Sequence, residues 1–157
     1  MNYVVRRARD KDLDDLVSFT AAEAREAEGA EKDPSVVRRG VDVGLSNPAI
    51  AMYWVAESNQ GEIVASASVV REWSDWHAQD YWWIQSMYVA PDHRGQGLVE
   101  MLIGAVAAEA RDSGAADLRL YVHKSNKRAI DAYRRCGFDD SPYAIMSKRL
   151  KNSEQGE

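Results

Sequence analysis

The stretch Met87-Tyr88-Val89-Ala90-Pro91-Asp92-His93-Arg94-Gly95-Gln96-Gly97-Leu98 decides how the chain is read. Upstream, Tyr81–Val89 is dense in aromatic and β-branched residues and predicts a strand, which Pro91 ends. Downstream, Leu98, Met101, Leu102, Ala105 and Val106 recur at offsets of 3, 4, 7 and 8 and predict an amphipathic helix. A strand that runs through glycines into a helix outlines an anion site. The glycines let successive backbone N–H groups converge, and the first turn of the helix adds unpaired donors and partial positive charge. Arg94 adds a full charge. A tight turn with a solvated arginine is the alternative that the two glycines alone allow. A dinucleotide fingerprint is a poorer match, since Glu100 stands where its third glycine would fall, and a P-loop would need Gly-Lys-Ser/Thr.

Working outward, Tyr3–Ala8 predicts a strand, and Asp10 is a cap for a helix with Leu13, Leu16, Val17, Thr20, Ala21 and Ala24 on one stripe, closed by Gly29. Asp33-Pro34 opens a second helix carrying Val37, Val41 and Leu45, stopped by Ser46-Asn47-Pro48. Ile50–Glu57 and Ile63–Trp73 predict a hairpin about the turn Ser58–Gly61. Beyond the central helix, Leu118–Val122 reads as a strand, Asn126–Cys136 as a helix ended by Gly137, and Tyr143–Arg149 as a final strand. The order β-α-α-β-β-β-α-β-α-β predicts an α/β fold with an antiparallel N-terminal half and a right-handed parallel crossover from Tyr81 to Val122. Residues 1–150 form one expected domain, with a frayed polar tail over 151–157.

Composition narrows the function classes. At 157 residues the chain can bury a full core without staples, and its one cysteine, Cys136, permits no internal disulfide or multi-cysteine zinc site. The 20 basic against 25 acidic residues give a net charge of −5, which argues against a broad nucleic-acid face. The apolar stretches, such as Ala49–Ala56, fall short of the roughly 18 residues of a membrane span, and Met1–Arg7 lacks the order of a signal peptide. The expectation is a cytoplasmic protein with no metal, no nucleic acid and no membrane among its partners.

A second constellation follows in Asn126-Lys127-Arg128-Ala129-Ile130-Asp131-Ala132-Tyr133-Arg134-Arg135-Cys136-Gly137-Phe138, where Asn126 and Tyr133 share one helical face. By itself a tyrosine there reads as core. Together with the strand-borne Arg94-Gly95-Gln96-Gly97 loop, however, the segment resembles the GNAT superfamily of N-acetyltransferases, and the likeness runs from about Tyr3 to Arg149. Glu26, Glu28, Gly29 and Asp33-Pro34, with Glu72-Trp73-Ser74-Asp75-Trp76, are similar to a branch of small bacterial members.

The resemblance implies direct transfer of an acetyl group from acetyl-CoA to an amine. It implies cofactor binding by Met87, Tyr88, Val89, Arg94, Gly95, Gln96, Gly97, Leu98, Val99, Asn126 and Tyr133. A backbone N–H among Met87–Val89 would hold the developing oxyanion, and Tyr133, with an ordinary pKa of about 10, would serve as general acid to the leaving thiolate. Two positions depart from the family pattern: Val99 stands where glycine or alanine is common, and Gln85 where a glutamate base is. Glu72, Asp75, Glu26 and Glu28 are then candidate bases, directly or through water, although an amine of low pKa needs none; Glu26, Glu28, Glu72, Trp73 and Gln85 are the candidate substrate residues, each of the acids with a solvated-surface alternative. A CoA-binding regulatory module without turnover is the competing function, a generic mononucleotide-binding protein a third. Edge strands and the cluster Trp73, Trp76, Trp82 and Trp83 suggest a homodimer.

Overall fold

A computed structural model describes residues 2–151 of the chain. Strand β1 (Tyr3–Arg7) leads through a 3-10 turn at Asp10–Asp12 into helix α1 (Leu13–Glu28), and α2 (Pro34–Ser46) follows. The cap of α1 differs from the sequence expectation. Asp12 rather than Asp10 accepts the Arg9 N–H, at 2.8 Å, because its carboxylate is already held from the other side by the Arg6 guanidinium at 2.8 and 3.0 Å. Arg6 also donates to Glu57 of the neighbouring strand at 2.9 Å, so this ion cluster sets the start of α1 against the sheet. Gly29, at φ 66°, ends α1, donating to the Arg25 carbonyl at 2.8 Å. Asp33 caps α2 by accepting from the Ser35 N–H at 2.9 Å, with Pro34 in the first turn.

Strands β2 (Met52–Ser58), β3 (Ile63–Ser74) and β4 (Gln79–Val89) continue the sheet, α3 (Leu98–Asp112) crosses it, and β5 (Asp117–Leu120) and α4 (Lys127–Arg135) complete the described elements. The strands lie in sequence order, antiparallel throughout except that β5 runs parallel to β4, as the crossover predicted.

The sheet is covered on both faces. Trp54, Ala56, Ala67, Val69, Trp82 and Ile84 pack under Leu98, Leu102, Ile103 and Val106 of α3. Tyr53 and Val55, whose side chains alternate to the other face, meet Leu16 of α1 and Val41 of α2. Double burial explains why β2 is an uninterrupted apolar run rather than an alternating one. Trp54 and Trp82 touch at 6.3 Å between ring centroids, which places Trp82 in the core; Trp83, on the opposite face, lies against Tyr121 at 4.6 Å.

The expected final strand over Tyr143–Arg149 is a correction. Among the described residues, 139–150 carry no strand, and the sheet ends at β5. No neighbouring strand pairs with the segment, and its apolar side chains stand in solvent, Ile145 at 69% and Met146 at 94% exposure. The frayed tail expected over 151–157 lies almost wholly outside the described residues. Among the described residues no helix is long and apolar enough to cross a membrane.

Candidate active site

Two irregularities in the sheet open a cleft. The pairing of Ser68 with Ser86 and of Val69 with Ile84 leaves Gln85 as an extra residue on β4, a bulge of the kind that turns a strand and redirects its side chains. The parallel pairing of β4 with β5 then stops at Ile84 and Leu120, so beyond the bulge the two strands part. The resulting V, about 1060 Å³ in volume, is lined by Gln85, Met87, Tyr88 and Val89 on one arm and Tyr121–His123 on the other; α1, the start of α3 and α4 close it.

At the mouth, β4 passes through a 3-10 turn at Pro91–His93 into the glycine loop. Gly95 and Gly97 adopt φ of 76° and 80°, the left-handed conformation that glycine enters without strain, and Gly97 is the N-cap of α3. The N–H groups of the first turn of α3 lack helical acceptors and face the cleft end, the arrangement that binds a phosphate. Arg94 is held at the base of this loop. Its Nε donates to the Val89 carbonyl at 2.9 Å, and an Nη donates to Glu26 at 2.8 Å, which also accepts from the Tyr88 hydroxyl at 2.8 Å. Burial works against the Glu26 charge, but the Tyr88 and Arg94 hydrogen bonds and the Arg94 charge outweigh it and hold the carboxyl below its ordinary range. Glu26 is thus a tie between α1 and the loop rather than a free substrate ligand.

Deeper in the cleft, Asn126 caps α4, its side-chain oxygen accepting the Ala129 N–H at 3.2 Å. One turn and more along that helix, Tyr133 packs edge-on against Phe138 at 6.0 Å. Burial first, then the nearby Glu23 charge, pushes the Tyr133 hydroxyl up to about 12, above the ordinary value expected from sequence, so it is a firmly protonated donor at neutral pH. Opposite stands Glu23 of α1, whose Oε2 accepts the Met87 backbone N–H at 2.7 Å. Burial pushes the Glu23 carboxyl up to about 7, and the Met87 hydrogen bond only partly offsets this.

The cleft brings together every residue expected to meet the cofactor except Gln96, which does not line it. Gln85 and Glu28 also line it, whereas Glu72 and Trp73 do not. Ala67 is the partner of Met87, and Glu72 lies five residues further along β3, about 16 Å away. There its carboxylate accepts the Trp83 indole N–H at 3.0 Å, while Trp73 borders a separate cavity of about 310 Å³. Neither is placed to act in the cleft. The acid that is so placed, Glu23, went unread in the sequence. One signal was available: Glu23 follows Leu16 and Thr20 at helical spacing, a carboxylate on the inward stripe of α1.

The sequence profile described as the acetyltransferase (GNAT) family matches residues 13–138. The thialysine N-epsilon-acetyltransferase of Bos taurus is 40% identical over 68 residues, 43% of this chain and 39% of that protein. The streptothricin acetyltransferase of Streptomyces lavendulae is 36% identical over 99 residues, 63% of this chain and 50% of that one. The chain therefore spans about two fifths to one half of the length of these relatives. Among solved structures, a possible acetyltransferase from Clostridium difficile 630 superposes with a TM-score of 0.88 at 29% identity, covering 97% of this chain and 100% of its own. The glycine loop, the bulge on β4 and the parting of β4 from β5 thus sit within a matched span covering most of the sequence, and the chain belongs to the acetyltransferase (GNAT) family.

Proposed function

We propose that the protein transfers the acetyl group of acetyl-CoA to a primary amine by direct attack within the cleft. The observation that supports this best is the convergence on one V-shaped opening of a left-handed glycine loop at a helix start, the Met87 N–H and the Tyr133 hydroxyl. The loop fits a pyrophosphate and Met87 fits a carbonyl oxygen, while Asn126 and Tyr133 border the thiol end. When bound, acetyl-CoA supplies an activated acyl carbon. The chain's own residues do the rest. The Met87 N–H stabilises charge on the carbonyl oxygen, a contribution of about 3 kcal/mol for one well-aimed donor, and the Tyr133 hydroxyl donates a hydrogen bond to the departing sulfur. Both named relatives act on amine-bearing small molecules by their titles, and Glu23, Glu26 and Glu28 make the α1 wall acidic. A small cationic amine is accordingly the acceptor class we favour.

Release of free thiol from acetyl-CoA, followed over a panel of lysine, thialysine, a polyamine, streptothricin and an alanine-terminated peptide, tests the reading. Turnover with one or more amines is expected. Tight acetyl-CoA binding with no turnover across the panel would favour the second reading, a CoA-binding module, for which Gln85 at the usual glutamate position is the specific argument. Two further parts of the proposal are a cytoplasmic location, which suits a free thiol and a CoA thioester, and a homodimer. The exposed apolar side chains of Tyr143, Ile145, Met146 and Leu150 and the unpaired outer edge of β5 among the described residues support self-association. Light scattering after size exclusion would read a dimer mass, and a monomer at all concentrations would dismiss it.

A further inference from the structure

The Met87 N–H points away from β3, into the gap where β5 has parted from β4, and there it meets the Glu23 carboxylate at 2.7 Å. If a thioester carbonyl is to use the same N–H, Glu23 must leave it. A carboxylate released from its donor inside a half-buried cleft, one helix away from the Tyr133 hydroxyl and beside Gln85, is a competent proton acceptor for an incoming amine. We propose that Glu23 is the general base of this enzyme and that the thioester carbonyl, by taking over the Met87 N–H, frees it to act. This rests on the acetyltransferase reading and supplies the base that Gln85 and the remote Glu72 leave unfilled.

The steps balance as follows. A protonated amine gives one proton to the Glu23 carboxylate. The nitrogen lone pair then forms the C–N bond, with the carbonyl electron pair held against the Met87 N–H. On collapse the C–S bond breaks, and the second nitrogen proton ends on sulfur, stabilised by Tyr133. Glu23 returns its proton to solvent with the product. Burial raises the Glu23 carboxyl to about 7, so at neutral pH both the accepting and the donating forms are populated.

Ionisable groups reach the cleft from each element that walls it: Glu26 and Glu28 on α1, Tyr88 on β4, His93 and Arg94 before the glycines, Glu100 on α3, Tyr121 and His123 beyond β5, and Arg128, Tyr133 and Arg135 on α4. Glu26 is committed to Arg94 and Tyr88, and Glu100 stands 3.9 Å from Arg135. Two imidazoles line the cleft as well: His93, whose Nδ1 meets the Tyr3 hydroxyl at 3.0 Å, and His123, whose Nδ1 bonds the Ser125 hydroxyl at 2.7 Å. H93N and H123N variants therefore accompany the test.

The test has two arms. In the first, E23Q keeps an oxygen for the Met87 N–H but accepts no proton. With an acceptor that titrates above the range scanned, kcat should fall about 10²- to 10⁴-fold, and the rise of kcat/KM with an inflection near pH 7 should vanish in E23Q and persist in H93N and H123N. Wild-type kcat and an unchanged pH profile in E23Q would overturn the proposal, as would an inflection kept in E23Q and lost in H93N or H123N. The second arm needs no acceptor. If the acetyl carbonyl and Glu23 compete for one N–H, E23A should bind acetyl-CoA more tightly relative to free CoA, by about tenfold for one charge-assisted hydrogen bond. An unchanged ratio would overturn the displacement. Failure of wild type to bind either nucleotide would instead strike at the acetyltransferase reading itself, so the two failures are distinguishable.

Discussion

Replacing Tyr133 with phenylalanine separates two ways in which its hydroxyl can assist. The hydroxyl is held up to about 12 by burial and by the Glu23 charge. A thiol of the cysteine type titrates at about 8.5. Full proton transfer from Tyr133 to a free thiolate is then uphill by about 5 kcal/mol, so the dominant assistance is a hydrogen bond to developing negative charge. Such a bond contributes about 1.5–3 kcal/mol, or about 10- to 150-fold in rate. The ring itself keeps its contact with Phe138, and among the described residues no hydrogen bond to the hydroxyl is lost, so the fold should stay within about 1 kcal/mol of wild type. Steady-state turnover with acetyl-CoA and an accepted amine, calorimetric CoA binding and a thermal melt together make the assay. The expected Y133F enzyme melts normally, binds CoA normally and turns over about 10- to 150-fold more slowly. A kcat within twofold of wild type would refute any role for the hydroxyl, and a loss beyond about 10⁴-fold would refute the hydrogen-bond account in favour of complete transfer.

Three further outcomes follow from the same geometry. Asp12, 2% exposed and bonded twice by Arg6 and once by Arg9, cannot lose its carboxylate without leaving Arg6 undercompensated, so D12A should cost about 3–5 kcal/mol in a denaturant melt. Glu23 titrates near 7 when folded against an ordinary 4.5; its protonated form is thus favoured by folding, and stability should decline by about 3 kcal/mol as pH rises from 4.5 to 7, a slope that E23Q should abolish in melts across that range. G97A places a side chain at φ 80° where a Cβ meets nothing within 4 Å, so calorimetry should show weakened CoA binding while the fold loses only about 1–2 kcal/mol of left-handed strain.

What the sequence makes legible is what local rules decide. The glycine loop after β4, the helix it opens and the helix carrying Tyr133 all depend on neighbours within one element, and each stands where the spacing put it, although Asn126 caps that last helix rather than sharing its face. The features that escaped depend on partners far along the chain. Glu23 meets Met87 across 64 positions, and nothing local to either residue announces the hydrogen bond, although the carboxylate on an inward stripe was a hint. Glu72 is a candidate base only because Gln85 leaves the usual glutamate position unfilled, but β3 is long and carries it away from the bulge at Gln85. The residue types of Tyr143–Arg149 suggest a strand that lacks a ladder, because local residue types describe one strand and pairing requires two.

A crystal structure with acetyl-CoA bound tests the central claim most directly. The account predicts pyrophosphate oxygens within hydrogen-bond distance of the N–H groups at Gly95–Val99, the thioester carbonyl on the Met87 N–H, and Glu23 moved off that donor into the open cleft. Acetyl-CoA bound away from the glycine loop, or a thioester seated while Glu23 remains on Met87, would contradict it.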